Sequence, residues 1–347
     1  MSRPNPIVDL RSDTVTRPTP EMYDAMRSAA LGDDVLGDDP TVHELEDLAS
    51  RLTGKPAAVF VPSGTMGNQI ALASHCSPGD AVLFEEEAHI LYYECGSPAL
   101  IAGVVGWTIP SDHGILDPGE VERRILKRSL HTPGTRLLCL ENTHNRAGGT
   151  VIPLDLHQEY RRIADRHGLA IHLDGARVFN AAIALGVPVT EIARHVDSIT
   201  FCLSKGLSSP VGSVLCGEAD FIEAARQWRK RLGGGMRQAG ILAACGLVSL
   251  RTMVDRLRED HRRAKVLADG LSRIAGLAVP NPPETNIVMV RTEVKAEEWT
   301  RALHERGVWC YDFDPHRLRM VLHKDIDDHD VARALEACAA VALDLAA

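Results

Sequence analysis

What this 347-residue chain lacks narrows its chemistry first. No apolar run approaches the roughly 20 residues of a membrane span. The opening MSRPNPIVDLRSD has no apolar stretch of a secretory leader, so a cytoplasmic protein is expected. Positive charge is not in excess. Against 47 Asp and Glu stand 38 Lys and Arg, a net charge of -9, which excludes a broad nucleic-acid footprint and leaves room only for a local anion pocket. The eight cysteines, Cys76, Cys95, Cys139, Cys202, Cys216, Cys245, Cys310 and Cys338, include no C-x-x-C pair. They read as small buried hydrophobes in a reducing compartment.

Familiar site motifs are also missing. No G-x-G-x-x-G follows a strand, and neither H-E-x-x-H nor G-x-S-x-G occurs. Gly54-Lys55 lacks the rest of a phosphate loop and runs into Pro56. No histidine falls into a metal-ligand spacing with cysteine, so no metal is expected. The cluster His323, Asp325, Asp327, Asp328 and His329 reads as the acidic start of a solvated helix.

What is present is an ordinary globular composition, 45% hydrophobic and 24% charged. Short apolar runs alternate with amphipathic segments. Strands are expected at Ala57–Val61, Ala81–Glu85, Arg136–Leu140, Leu169–Leu173, Ser198–Leu203 and Ser213–Cys216. Helices are expected at Met66–Ser74 and Leu156–His167, and one opening near Thr41, read as an N-cap with Glu44 completing a capping box. This pattern predicts an α/β fold with a mainly parallel sheet covered by helices. From about Glu218 the pattern changes. Ala219–Arg231 and Gln238–Leu257 read as helices, the second running on to about Ile274. A compact α+β tail follows, with strands at Ile287–Arg291 and Leu318–His323 and helices at Glu297–Arg306 and Asp328–Leu345. The domain reading is a large domain over 1–250, including the N-terminal segment, and a small α+β domain over 251–347.

Four local constellations stand out. In Val61-Pro62-Ser63-Gly64-Thr65-Met66-Gly67-Asn68, a strand runs into a helix start with two hydroxyls and a glycine, a natural seat for a phosphate. In His172-Leu173-Asp174-Gly175-Ala176-Arg177, an acid and an arginine follow the carboxyl end of a buried strand, where ligands of open α/β sheets bind. Asp174 suits a protonated ring nitrogen, and Arg177 a ring oxygen. In Phe201-Cys202-Leu203-Ser204-Lys205-Gly206, a lysine ends an apolar strand, as Schiff-base chemistry requires. In Lys230-Arg231-Leu232-Gly233-Gly234-Gly235-Met236-Arg237, three glycines precede an arginine, which suits close approach to an anion, including one held by a neighbouring subunit. Alone, each has a plainer reading: a helix cap, an internal ion pair, a solvated lysine, a flexible turn. Together, with Asp174 and Lys205 one strand–helix–strand unit apart, they meet the requirements of pyridoxal phosphate (PLP).

The motifs then carry a resemblance. VDLRSDTVTRPTPEM from Val8, GDDVLGDDPTVHELE from Gly32, PSGTMGNQIAL from Pro62, EEEAHILYYECG from Glu85, LENTHNRAGG from Leu140, HLDGARVFNA from His172, SKGLSSPVGSVL from Ser204, GGGMRQAG from Gly233 and RLRMVLH from Arg317 occur in order over about residues 8–325. The chain closely resembles the PLP-dependent low-specificity L-threonine aldolases, of the aspartate-aminotransferase-like fold (fold type I). That resemblance implies retro-aldol cleavage of L-threonine, L-allo-threonine and related β-hydroxy-α-amino acids to glycine and an aldehyde. It implies Lys205 as the Schiff-base lysine and Asp174 at the pyridine nitrogen. Arg177 would meet the 3′-oxygen, and His89 would stack on the ring. Ser63, Gly64, Thr65 and Ser204 would cradle the cofactor, with Arg237 reaching its phosphate from a partner subunit. Ser12 and Arg319 would grip the substrate carboxylate. Lys230 would line the entrance, and His144 would sit near the substrate hydroxyl. His144 or His89 is the expected base. Ser97 stands where the family often has a second glycine, a departure that bears on acceptor size. A homo-oligomer is implied, with active sites built in dimers and a tetramer as the whole. A β-eliminating lyase or an amino-acid racemase uses the same cradle, and a catalytically silent PLP- or sugar-binding regulator is the alternative outside enzymes.

Overall fold

The computed structural model describes residues 7–346 and divides the chain into two compact units. One comprises Pro18–Val254. The other joins the described residues up to Arg17 to those from Asp255 onward.

The larger unit is built on a seven-stranded sheet. Its spatial order is Ala57–Val61, Ser213–Gly217, Ser198–Cys202, Ala170–Asp174, Thr135–Glu141, Ala81–Glu85 and Val105–Ile109. Ser213–Gly217 runs antiparallel to both neighbours, and every other pairing is parallel. The other six strands therefore share one direction, and their carboxyl ends share one edge. Strands such as Ala81–Glu85 and Ser198–Cys202 are buried at every residue, and they read as mostly apolar runs, with Ser198 and Thr200 the buried polar positions of the second. Val105–Ile109 is the exception. It is an edge strand exposed at four of five residues, so its sequence carries no such signal.

Glycine lets the helix Gly64–His75 lie close to this sheet. A Cβ on Gly67 would stand 2.6 Å from Thr200 Cγ2, and one on Gly64 2.9 Å from Cys202 Sγ. The expected helix near residue 41 is Pro40–Thr53, but Thr41 is not its cap. Asp39 accepts from the Thr41 and Val42 N–H groups, each at 3.1 Å, with Pro40 as the first helical residue. The Thr41 hydroxyl instead donates to the Ala30 carbonyl. The helix expected from Gln238 is interrupted. Gly240–Val248 gives way to a wider turn at Ser249–Met253, and Leu257–Leu271 is separate. The Ser249 hydroxyl donates to the Leu207 carbonyl and meets Ser209 Oγ, contacts that local periodicity does not reveal.

The smaller unit has a four-stranded antiparallel sheet in the order Tyr311–Asp314, Arg317–Val321, Ile287–Thr292, Leu277–Ala278. The N-terminal segment belongs here, not with the large domain to which the sequence reading assigned it. Val8–Asp9 pairs in parallel with Val308–Trp309, and Leu10 accepts from the Val321 N–H at 2.8 Å. Val8 and Leu10 join a core with Trp299, Leu303 and Met320. Contacts between residues 300 positions apart leave no trace in a local pattern.

The acidic cluster near the tail behaves as a helix start. Asp328 opens Asp328–Ala346 and pairs with Arg262 and Arg263, while His323 is buried on the Asp9 carbonyl. All eight cysteines are free, six of them buried. Among the described residues, no helix is long and apolar enough to cross a membrane.

Candidate active site

The shared edge of carboxyl strand ends in the larger unit holds a cavity of about 160 Å³. One wall is the helix start Ser63, Gly64 and Thr65. Ser63 caps that helix by accepting from the Met66 N–H at 3.1 Å. The Gly64 and Thr65 N–H groups have no acceptor within the helix, and they lie at its positive pole. Gly64 also matters as a side chain that is absent, since a Cβ there would press on Cys202, itself a lining residue.

Lys205 and Ser204 line the same cavity, three and two residues past the Ser198–Cys202 strand. The following turn is held by Ser208 N–H donating to the Lys205 carbonyl at 2.8 Å and Leu203 N–H donating to Gly212 at 3.0 Å. Asp174, at the end of its own strand, lines the cavity and is buried. Its Oδ1 accepts from the Ala176 N–H at 3.1 Å, and its Oδ2 from Asn68 Nδ2 at 2.8 Å.

His89, the fourth contributor, stands at the start of the short helix His89–Tyr92. Glu141 Oε2 accepts its backbone N–H at 2.7 Å. Its Nδ1 lies 3.0 Å from Glu94 Oε1, so this nitrogen donates and Nε2 is the one left to accept. Burial alone would lower the His89 pKa. The Glu94 hydrogen bond and the Asp174 charge outweigh burial and the opposing Lys205 charge, so the value is raised above 6.5. Burial raises the Glu94 carboxyl, reinforced by Asp174, while the bonds from His89, Asn68 and Gln69 pull it back only in part.

His144 is placed differently from the sequence expectation. It is 1% exposed and is not among the residues lining the cavity. Its Nε2 lies 2.9 Å from Glu85 Oε2, and its Nδ1 accepts the Ala147 N–H at 3.2 Å. Both ring nitrogens have partners within the protein, so His144 ties its loop to the strand Ala81–Glu85. Burial works to lower its pKa, but Glu141, Glu85 and Glu87 raise it overall. Arg177 is buried beside the cavity-lining Ala176, and its guanidinium donates to Asn145 Oδ1.

The glycine-rich constellation falls elsewhere in the unit. Lys230 and Gly235 line a second, larger cavity of about 690 Å³ with Asp34, Val35 and Leu36. Gly234 has a packing reason, because a Cβ there would stand 2.2 Å from Met66 Sδ. Arg237 pairs within its own chain with Asp33 at 2.9 Å and is more than half exposed. Ser12 and Arg319 both belong to the smaller unit. Ser12 Oγ caps a short turn by accepting from the Thr14 N–H, and Arg319 donates to the Arg11 carbonyl at 3.3 Å, one residue away. That unit therefore brings the two expected carboxylate-binding residues into one neighbourhood.

The sequence reading assigned no role to Asn68, Glu94, Cys202 or His172. Asn68 and Gln69 carried the clearest overlooked signal: two adjacent amides inside the expected helix, each 1% exposed.

A sequence model of the beta-eliminating lyase family matches residues 9–295. A probable low-specificity L-threonine aldolase of Arabidopsis thaliana is 46% identical over 94% of this chain and 95% of its own length. The low specificity L-threonine aldolase of Escherichia coli K12 is 46% identical over 94% of this chain and 96% of its own. A solved threonine aldolase from Leishmania major superposes with a TM-score of 0.85 at 21% identity, covering 96% of this chain and 99% of that one. With near-complete coverage at this identity, the chain belongs to the beta-eliminating lyase family, among the low-specificity L-threonine aldolases.

Proposed function

We propose that this protein cleaves L-threonine, L-allo-threonine and related β-hydroxy-α-amino acids to glycine and an aldehyde, using PLP. The carrying observation is a single cavity lined by Lys205, Asp174, His89 and the open helix start at Gly64. These residues fit the cofactor. The helix start has two N–H groups without helical acceptors for a phosphate, Gly64 keeps that seat clear, and a carboxylate faces the same space as a lysine. When bound, the cofactor supplies an electron sink for the pair left on Cα as the Cα–Cβ bond breaks.

The chain's own residues do the rest. Lys205 would be the covalent anchor, and Asp174 would hold the ring nitrogen. Ser63, Gly64, Thr65 and Ser204 would seat the cofactor, and Arg177 would meet its ring oxygen. His89 would pack on the ring, and its Nε2 is suited to take the β-hydroxyl proton, because Nδ1 is committed to Glu94. Ser12 and Arg319 bind the substrate carboxylate, which sets which Cα bond is aligned for cleavage. Arg237 of a second copy and Lys230 complete the entrance in a homo-oligomer of the cytoplasm. The arrangement favours His89 over His144 as the proton acceptor.

Product analysis with both threonine diastereomers tests this reading. Glycine and acetaldehyde in equal amounts are expected. Pyruvate or ammonia from serine as the main product would assign elimination instead, and a D-amino acid would assign racemisation. Lys205→Ala is expected to abolish cleavage and the visible absorbance of bound PLP. A borohydride-reducible link to the same peptide in that variant would overturn the lysine's role.

A further inference from the structure

From Asn68, which lines the cavity, runs a series of polar side chains whose donor and acceptor roles follow one from the next. Asn68 Nδ2 lies 2.8 Å from Asp174 Oδ2 and 2.9 Å from Glu94 Oε1. Carboxylates accept, so both amide hydrogens are spent there. Asn68 Oδ1 must then accept, and its partner is His172 Nε2 at 3.1 Å, which carries the hydrogen. His172 is fully buried, and burial pushes its pKa down to about 3, so the ring is neutral and Nδ1 is an acceptor. It takes the hydrogen of Ser198 Oγ at 2.9 Å. That hydroxyl in turn accepts from His75 Nε2 at 2.7 Å. Each hydrogen in the series points toward the cavity.

We infer that Asn68, locked by His172 and Ser198, is the positioning residue that holds Asp174 and the Glu94–His89 pair in one arrangement. A single amide sets both groups, the carboxylate that would hold the cofactor's ring nitrogen and the histidine on the cavity wall. Without the His172 donor, the amide is free to rotate and to turn its oxygen toward two carboxylates. The residues sit on three elements, the Gly64–His75 helix and the paired strands Ala170–Asp174 and Ser198–Cys202, so the series also ties the helix start to the sheet. The inference rests on the assignment of Asp174 to the ring nitrogen made above.

The test compares the full-length holoenzyme carrying His172→Phe, His172→Gln or Ser198→Ala with Asp174→Ala. PLP affinity is read by titration of the visible absorbance, alongside kcat, KM for L-threonine, and Tm. His172→Phe keeps a ring but no donor, and is expected to weaken PLP binding and lower kcat by roughly tenfold, the upper end for one lost hydrogen bond, with KM held. His172→Gln, which retains an N–H donor, is expected to recover part of both. Ser198→Ala, which leaves the rings in place, is expected to move both quantities the same way by less, and it carries the test if His172→Phe does not fold. Parent-like affinity and kcat in the folded His172 and Ser198 variants, with Asp174→Ala impaired, would refute the relay alone, whatever their Tm. Parent-like behaviour of Asp174→Ala would refute the assignment of Asp174 and the relay with it.

Discussion

His144→Phe separates a buried structural histidine from a proton-transfer residue. His144 and Glu85 are 1% and 5% exposed in their side chains and meet at 2.9 Å. Removing one member of such a pair strands the other charge, at a cost of about 3–5 kcal/mol. Glu85 keeps two other donors, Ser111 Oγ at 2.7 Å and the Glu87 N–H at 2.6 Å, which places the cost at the lower end. At roughly 2–4 °C per kcal/mol for a unit of this size, a loss near 3 kcal/mol lowers Tm by about 6–12 °C. His144 has a raised pKa, so its contribution is complete below 6.5 and fades as pH rises through the folded value. Glu85 has a lowered one: burial opposes this, but the bonds from His144 and Ser111 prevail. Its contribution is complete above 4.5 and fades as pH falls through the folded value. The gap between parent and variant is therefore widest between pH 4.5 and 6.5. The assay is scanning calorimetry across that range, with Glu85→Gln and the double variant completing the cycle. The double variant is expected to be more stable than His144→Phe alone by about 1 kcal/mol or more, because the stranded charge is gone. A Tm drop under about 3 °C, or strictly additive effects, would refute the reasoning.

Two further outcomes concern the cavity itself. Gly64→Ala places a methyl 2.9 Å from Cys202 Sγ at the phosphate seat, so PLP affinity is expected to fall by about tenfold with little change in Tm; titration of the apoprotein measures it, and unchanged affinity would remove Gly64 from the cradle. Glu94→Gln removes the charge that, against the effect of burial, helps raise the His89 pKa, so the acid limb of the kcat profile is expected to move to lower pH; a limb that stays in place would show that His89 is not the group titrating.

Legibility followed the range of the interactions. The buried strands were readable almost to the residue because burial on both faces demands mostly apolar runs. Ala57–Val61 and Ala81–Glu85 match the expected limits. Val105–Ile109 was not readable because an exposed edge makes no such demand. Asp39 displaced Thr41 as a cap because Pro40 suits the first helical turn and Asp39 also receives the Gly240 N–H, a contact across 201 positions. Lys205, Asp174, His89 and Gly64 were each identified from local motifs and lie around one cavity. His144 lay in an equally recognisable motif but meets Glu85 instead.

The sequence by itself determined the class of fold, the presence of a lysine, a carboxylate and an anion seat at strand ends, and the family whose ordered motifs it shares. These are local properties, written in runs of fewer than a dozen residues and in their order along the chain. Only the tertiary structure decided which hydrogen-bonding groups remain free. His89 leaves its Nε2 on the cavity side while both His144 nitrogens meet protein groups, and Asn68 becomes the link between two carboxylates; buried polar atoms must be satisfied, and Glu85 for His144 and the two carboxylates for Asn68 lie 26 to 106 residues away.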